Sequence, residues 1–246
     1  HVGDIKSGRS SCSEQTYNSV RNLFRKQPVP ILFTPGDNEW TDCWRLPAGG
    51  HDPEEKLAEL RELFFADPTV LKLDTLAVHQ QKIYPEHYRF MKEGVMFVSL
   101  HVVGSYNNRY PRRIKAMREF RARSKVGKRF LQESLKAAKK KKAKAMVLLF
   151  HANPRFGRKK LHPGYKYLIK TLAKGMTGWN RPVLAIHGDD HRYIVDQPLK
   201  DPKTSKHFSN FTRVQVPGYP LVELVKVSVD TESDQVFSVE MFVPEN

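Results

Sequence analysis

No stretch of 18 consecutive apolar residues occurs in this 246-residue chain, so no membrane-spanning helix is expected. Cysteine is scarce: Cys12 and Cys43 permit one disulfide or two free thiols, and the count alone leaves the redox compartment open. Internal repeats are missing, and so is low-complexity sequence beyond the run Lys139-Lys140-Lys141-Lys142. Acidic residues are in deficit, 26 against 42 basic ones, for a net charge of +16. That balance favours an anionic partner, whether a phosphorylated substrate, a nucleic acid or an acidic surface, and composition does not choose among them. A signal peptide is also missing at residue 1, and His1-Val2-Gly3-Asp4 reads as the middle of a segment. The native N-terminus is therefore expected upstream, with any localisation signal.

What is present suffices for one domain spanning residues 1–246: 39% hydrophobic and 11% aromatic residues can build a sizeable core. Three apolar runs stand out because each empties into a polar loop. Ile31-Leu32-Phe33 leads through Pro35-Gly36 to Asp37-Asn38-Glu39, Val147 to Phe150 leads to His151, and Pro182 to Ile186 leads to His187-Gly188-Asp189-Asp190-His191. Residues 1–8 read as the tail of a further strand, with Asp4 at its end. Strand ends of this kind are where open α/β sheets keep their chemistry.

Between these runs, periodicity predicts helices from Ser13 to Arg25, from Asp52 through Phe64, from Pro111 to about Lys144 and from Tyr165 to Lys174. Val95 to Val103 reads as a strand. Alternating residues in Tyr193–Val195, Phe211–Val216, Leu221–Val229 and Gln235–Val243 predict antiparallel strands with one solvated face. The order of elements suggests an α/β fold, a layered β-sandwich flanked by helices. The lysine run reads first as a solvated helix face and second as a contact for nucleic acid.

Taken together, Asp4, Asp37, Asn38, His151, His187, Asp189 and His191 form a carboxylate and imidazole set with no thiolate nearby in sequence. Such donors suit Mn, Fe or Zn, divalent or trivalent, rather than a structural thiolate zinc. Gly3-Asp4, Gly36-Asp37-Asn38-Glu39, His151 and Gly188-Asp189-Asp190-His191 resemble, in order and spacing, the motif series of the calcineurin-like metallophosphoesterases. The resemblance runs from residue 1 to about Val229. It implies that fold, without the Asp-x-His strand that precedes Gly-Asp in the family; a truncated N-terminus is the first expectation for that strand, and a degenerate metal site the second. It further implies two metal ions in the complete protein and hydrolysis of a phosphomonoester or phosphodiester by metal-hydroxide attack.

By that resemblance Asp4 is the bridging carboxylate, Asp37 stands for the ligand Asn, and His151 and His191 for ligand histidines. Asp189 stands where the family has another histidine. Asn38 takes the place of the histidine that protonates the leaving group, and an amide cannot do so; either another histidine such as His187 or His101 supplies the proton, or the substrates are ones that leave without it. Lys6, Arg112, Arg113 and Arg155 are candidate phosphate-steering charges. If Asp4 and Asp37 meet at one metal, the loops that follow them run together, and a Cys12–Cys43 disulfide becomes the expectation, against two unpaired buried thiols. The disulfide would imply a secreted or periplasmic location. Two other functions stay open: a binding protein of the same fold that holds an anionic partner through its basic surface, and a less favoured nucleic-acid role for Lys136 to Lys144.

Overall fold

The computed structural model describes residues 1–221 and 223–243. Its framework is a seven-stranded mixed sheet. β1 is His79–Gln80, β2 Tyr88–Lys92, β3 Val95–Ser99, β4 Ala145–Leu149, β5 Val183–His187, β6 Ile194–Asp196 and β7 Phe211–Gln215. They lie in the order β1-β2-β3-β4-β5-β7-β6. The central strands β3, β4, β5 and β7 are parallel, while β1, β2 and β6 run antiparallel at the edges. A hairpin of β8 (Leu224–Val229) and β9 (Phe237–Phe242) forms a separate two-stranded sheet.

The helices are α1 (Glu14–Lys26), α2 (Pro53–Phe65), α3 (Ile114–Lys140) and α4 (Lys166–Met176). Ser13 caps α1 by accepting from the Thr16 N–H, and Asp52 caps α2 by accepting from the Glu54 N–H, which fixes both starts at the positions their sequences signal. The layers follow from period-two alternation. Met146 and Leu148 of β4 face the helices and pack on Phe130, Leu131 and Leu168, while Val147 and Leu149 face the opposite side and pack on the hairpin's Val225 and Val239. A third cluster, around Tyr17, Phe33, Trp40 and Phe64, joins α1 and α2 to the Gly36 loop.

Several strand expectations change, and residues 1–8 form no strand. Phe211–Val216 becomes β7, parallel to β5 and largely buried, because it continues the central sheet instead of starting a solvated meander. Ile31 to Phe33 is extended but outside the sheet; Leu32 and Thr34 exchange backbone hydrogen bonds with His1, and the Ile31 N–H donates to the Leu71 carbonyl. The strand expected from Leu221 begins at Leu224, and Val222 lies outside the described residues. No helix among the described residues is long and apolar enough to cross a membrane.

Candidate metal centre

The polar ends of the central strands converge on His151. β4 delivers it, and the Asp189 loop follows β5, as expected at the carboxyl end of a parallel sheet. The His151 Nδ1 lies 2.6 Å from the Val2 carbonyl oxygen, so Nδ1 carries the proton and donates it there. This leaves Nε2 pointing at three carboxylates: Asp37 Oδ1 at 3.0 Å, Asp4 Oδ1 at 3.5 Å and Asp189 Oδ1 at 3.8 Å. Asp4, Asp37 and His151 each offer a ligand atom, and these atoms lie within 4.8 Å of one another. A histidine tethered through one nitrogen to a carbonyl, with the other aimed at carboxylates, is the arrangement that orients a metal ligand.

The surrounding chain is shaped to allow this approach. A Cβ at Gly104 would meet Asp189 Oδ1 at 2.6 Å and Asp37 Oδ1 at 2.7 Å, so only glycine lets the backbone pass between the two carboxylates. Beyond Gly104 the chain makes a left-handed turn, with φ of 45° at Ser105, 60° at Tyr106, 59° at Asn107 and 58° at Asn108. That conformation is costly for residues bearing a Cβ. It delivers the Ser105 hydroxyl, which donates to Asp37 Oδ2 at 2.7 Å and lies within 2.9 Å of both Asp42 oxygens. Asp4, Arg155, Asp189 and His191 also have positive φ. Backbone strain is thus concentrated around this one site.

Charge is concentrated too. Asp4, Asp37, Glu39, Asp42 and Asp189 outnumber the cations they face: His151, Lys6, whose Nζ is taken up by the Ser7 and Ser10 carbonyls, and Arg45, which pairs with Asp42 at 2.9 Å. The groups titrate accordingly. Burial alone would lower His151, but Asp4, Asp37 and Asp189 outweigh it and hold the imidazole well above its ordinary value. Burial also opposes the Asp37 charge, yet the bond from His151 brings that carboxyl down to about 2. Burial, reinforced by the Asp4 carboxylate, pushes Glu39 up to about 8. Burial raises Asp189 to about 6, with Asp37 adding to it. A proton on His151 Nε2 now stands where a cation satisfies the same oxygens, so the donor set fits a hard or borderline metal ion.

Glu39 is the member sequence reading underused. Its carboxylate accepts from the Gly36 N–H at 2.6 Å and from the Asp4 N–H at 3.1 Å, and so ties the two loops that carry Asp4 and Asp37. The signal was its place in Gly36-Asp37-Asn38-Glu39. Ser105 had no comparable signal.

The other candidates are distributed as follows. Asn38 is half-buried, and its N–H donates to Asp4 Oδ1 at 3.3 Å. Its side chain lines, with Asp4, His151, Asp189 and His191, a hollow of about 670 Å³. His191 is exposed on that rim, its Nδ1 2.9 Å from the Tyr219 carbonyl oxygen. His187 lies in the core with its ring stacked 5.4 Å from Phe150, and burial lowers it to about 3. His101 is fully buried beside Glu86 at 3.3 Å. Arg113 covers the Trp44 ring, whereas Arg155 lines a second hollow that also reaches Asp189.

Cys12 and Cys43 form a buried disulfide with Cα atoms 5.8 Å apart, closing the loops that follow Asp4 and Asp37. Such a bond is consistent with an oxidising compartment outside the cytoplasm. Comparison with protein-family models finds no match, and comparison with curated proteins finds none either.

Proposed function

We propose that this protein is a metal-dependent phosphoesterase of the calcineurin-like fold, acting outside the cytoplasm on a phosphomonoester or phosphodiester. One observation carries the reading: His151 Nε2, its partner nitrogen fixed on the Val2 carbonyl, faces Asp37, Asp4 and Asp189 at 3.0, 3.5 and 3.8 Å. The motif order Gly3-Asp4, Gly36-Asp37-Asn38-Glu39, His151 and Gly188-Asp189-Asp190-His191 supports it from the sequence side.

In this reading Asp4, Asp37, His151 and Asp189 hold an ion of Mn, Fe or Zn. When bound, the ion lowers the pKa of water and draws charge from a phosphoryl oxygen, which is what attack on a phosphoester needs. The chain's own residues do the rest. Ser105 and Glu39 orient Asp37 and the Asp4 loop, so the carboxylates are aimed before any ligand arrives. Asn38 can donate an amide N–H to a phosphoryl oxygen but cannot transfer a proton. His187 and His101 are both fully buried; His191, which lines the hollow with Asp4 and Asp189, is assigned the leaving-group proton.

The test is metal content together with hydrolysis of p-nitrophenyl phosphate in Mn, Fe or Zn. We expect bound metal and turnover, both lost in His151→Ala and Asp37→Ala, with activity falling by about a hundredfold or more, the upper scale for disturbed metal-site partners. Absence of turnover with all three ions overturns the enzyme reading. Asn38, standing where a proton donor is needed, favours a second reading, a binding protein of the same fold that holds an anionic partner. Bound metal without turnover is its signature.

A further inference from the structure

A second hollow, of about 590 Å³, opens beside the first and shares Asp189 with it. Its wall includes Arg45, Arg155, Arg158 and Lys160, with Ser105, whose hydroxyl also holds Asp37. Arg45 is engaged by Asp42 at 2.9 Å. Arg155, Arg158 and Lys160 form no ion pair among the described residues, although the acids Asp189 and Asp190 lie in the same hollow. Asp189 faces His151, and Asp190 accepts from the Asn153 side chain at 2.8 Å, so both acids are turned to other partners. Three uncommitted cations therefore share a concave space that reaches the metal centre.

The strained backbone shapes this space as well. Tyr106, 56% exposed on the left-handed turn, stacks on His162 with ring centroids 5.1 Å apart and forms the opposite wall. Arg155 is held at a φ of 56° by its N–H donating to Asn153 Oδ1 at 2.8 Å. Its backbone is thereby fixed next to Asn153, whose own N–H donates to Asp189 Oδ2 at 3.2 Å. One short chain of contacts thus couples the cationic wall to the ligand set.

Resting on the phosphoesterase reading, we propose that this second hollow binds a further anionic group of the substrate, so that the substrate class is a phosphoester carrying a second phosphate. One phosphate would be taken by the ion that Asp4, Asp37 and His151 would hold, and the other lies against Arg155, Arg158 and Lys160. Paired cations in a concave site outperform isolated surface charges because the field is focused and the ligand is desolvated on more than one side. The arrangement selects by charge and by the span between the two phosphates.

The probes are propyl phosphate and a series of straight-chain alkanediol bisphosphates of increasing length, with kcat/KM measured by phosphate release from the metal-loaded protein. At one or two lengths the bisphosphate is expected to exceed propyl phosphate by about tenfold or more, the factor that corresponds to one well-made charged contact. In Arg158→Gln/Lys160→Gln that ratio collapses toward one, mainly through KM. Equal use of mono- and bisphosphates at every length by the wild-type protein overturns the assignment, as does a ratio that survives in the double variant. Hydrolysis of neither class ends the phosphoesterase reading itself and this assignment with it, an outcome distinct from hydrolysis without preference.

Discussion

Two buried polar clusters lie one turn of chain apart, and they are built on opposite principles. Around Arg123 every donor is used: Nε reaches Glu119 at 2.6 Å, Nη1 reaches the His101 carbonyl at 2.9 Å and Asn107 Oδ1 at 2.6 Å, and Nη2 reaches the Asn107 carbonyl and Glu119 at 3.1 Å. Around His151 one ring nitrogen confronts three carboxylates. The first cluster is closed, one cation matched to its acceptors; the second is open, with more acid than base. The difference separates structure from function, because a closed network rigidifies a fold while an open one is complete only with a ligand. The two are also linked. Arg123 grips Asn107 on the inner side of the left-handed turn, and the same turn presents Ser105 to Asp37.

Removing the centre of the closed cluster has the largest expected effect. Arg123→Met leaves Glu119 charged and buried and takes partners from Asn107, and it should cost about 3 to 5 kcal/mol of unfolding free energy. Adding Glu119→Gln should recover part of that loss, since the stranded charge is gone. Denaturant unfolding checks both. A loss below about 1 kcal/mol for Arg123→Met would place this cluster among surface pairs and break the contrast.

The Cys12–Cys43 bond acts on the open cluster, because it closes the loops carrying Asp4 and Asp37 across a sequence separation of 31. Replacing both cysteines by alanine should cost roughly 3 to 4 kcal/mol in the chain-entropy account. It should also weaken metal affinity in the folded protein, because the loops that carry Asp4 and Asp37 are no longer tied together. Unfolding curves and metal titration, each with and without a reductant, separate the two effects.

The open cluster was far more legible in sequence than the closed one, and the reason is locality. Asp37, His151 and Asp189 each sit just beyond an apolar run, so a strand-end reading finds them one at a time, and the fold only has to bring the ends together. The disulfide followed from the same step. His187 illustrates the limit: it is the last residue of β5, and alternation along the strand turns it to the helix side, onto Phe150. His191 is displaced by two positive-φ residues, Asp189 and itself, which no periodicity encodes. Ser105 and Arg123 were illegible for related reasons: a hydroxyl on a left-handed turn of non-glycine residues has no composition signature, and Arg123 reads as one more base on a basic helix.

Acid should sharpen the contrast next. His87 adjoins the closed cluster, and its Nδ1 accepts the His101 N–H at 3.1 Å, so the folded state keeps the ring neutral. Burial holds it at about 3. The folded value lies below the unfolded one, so this stability is present above the unfolded pKa of about 6.5 and is lost as pH falls from there toward 3. Between pH 7.5 and 5 the expected loss from this group is about 2 kcal/mol by linkage. His87→Asn keeps an acceptor for the His101 N–H and removes the titration, so its stability-pH curve should be flatter by that amount. An unchanged slope would mean that the ring is already protonated in the folded protein.

The smallest expected change is the most telling. Asp4→Asn removes one of the carboxylates facing His151 while leaving an oxygen to accept the Asn38 N–H, which Asp4 Oδ1 now takes at 3.3 Å. Burial raises the Asp4 carboxyl, so its charge is disfavoured where it sits, and a neutral side chain of the same shape relieves that cost while giving up attraction to His151. These effects oppose, and the metal-free protein should change by no more than about 1 kcal/mol, within the range of ordinary substitutions. The difference lies in the response to metal. At an ion concentration of about 100 Kd the wild-type protein should gain about 2.7 kcal/mol from binding, and Asp4→Asn should gain much less at that same concentration. Thermal unfolding with and without Mn or Zn measures both quantities on one sample. If Asp4→Asn instead destabilises the metal-free fold as Arg123→Met does, the carboxylates around His151 serve the fold in the way Glu119 does, and the open cluster is a second closed one.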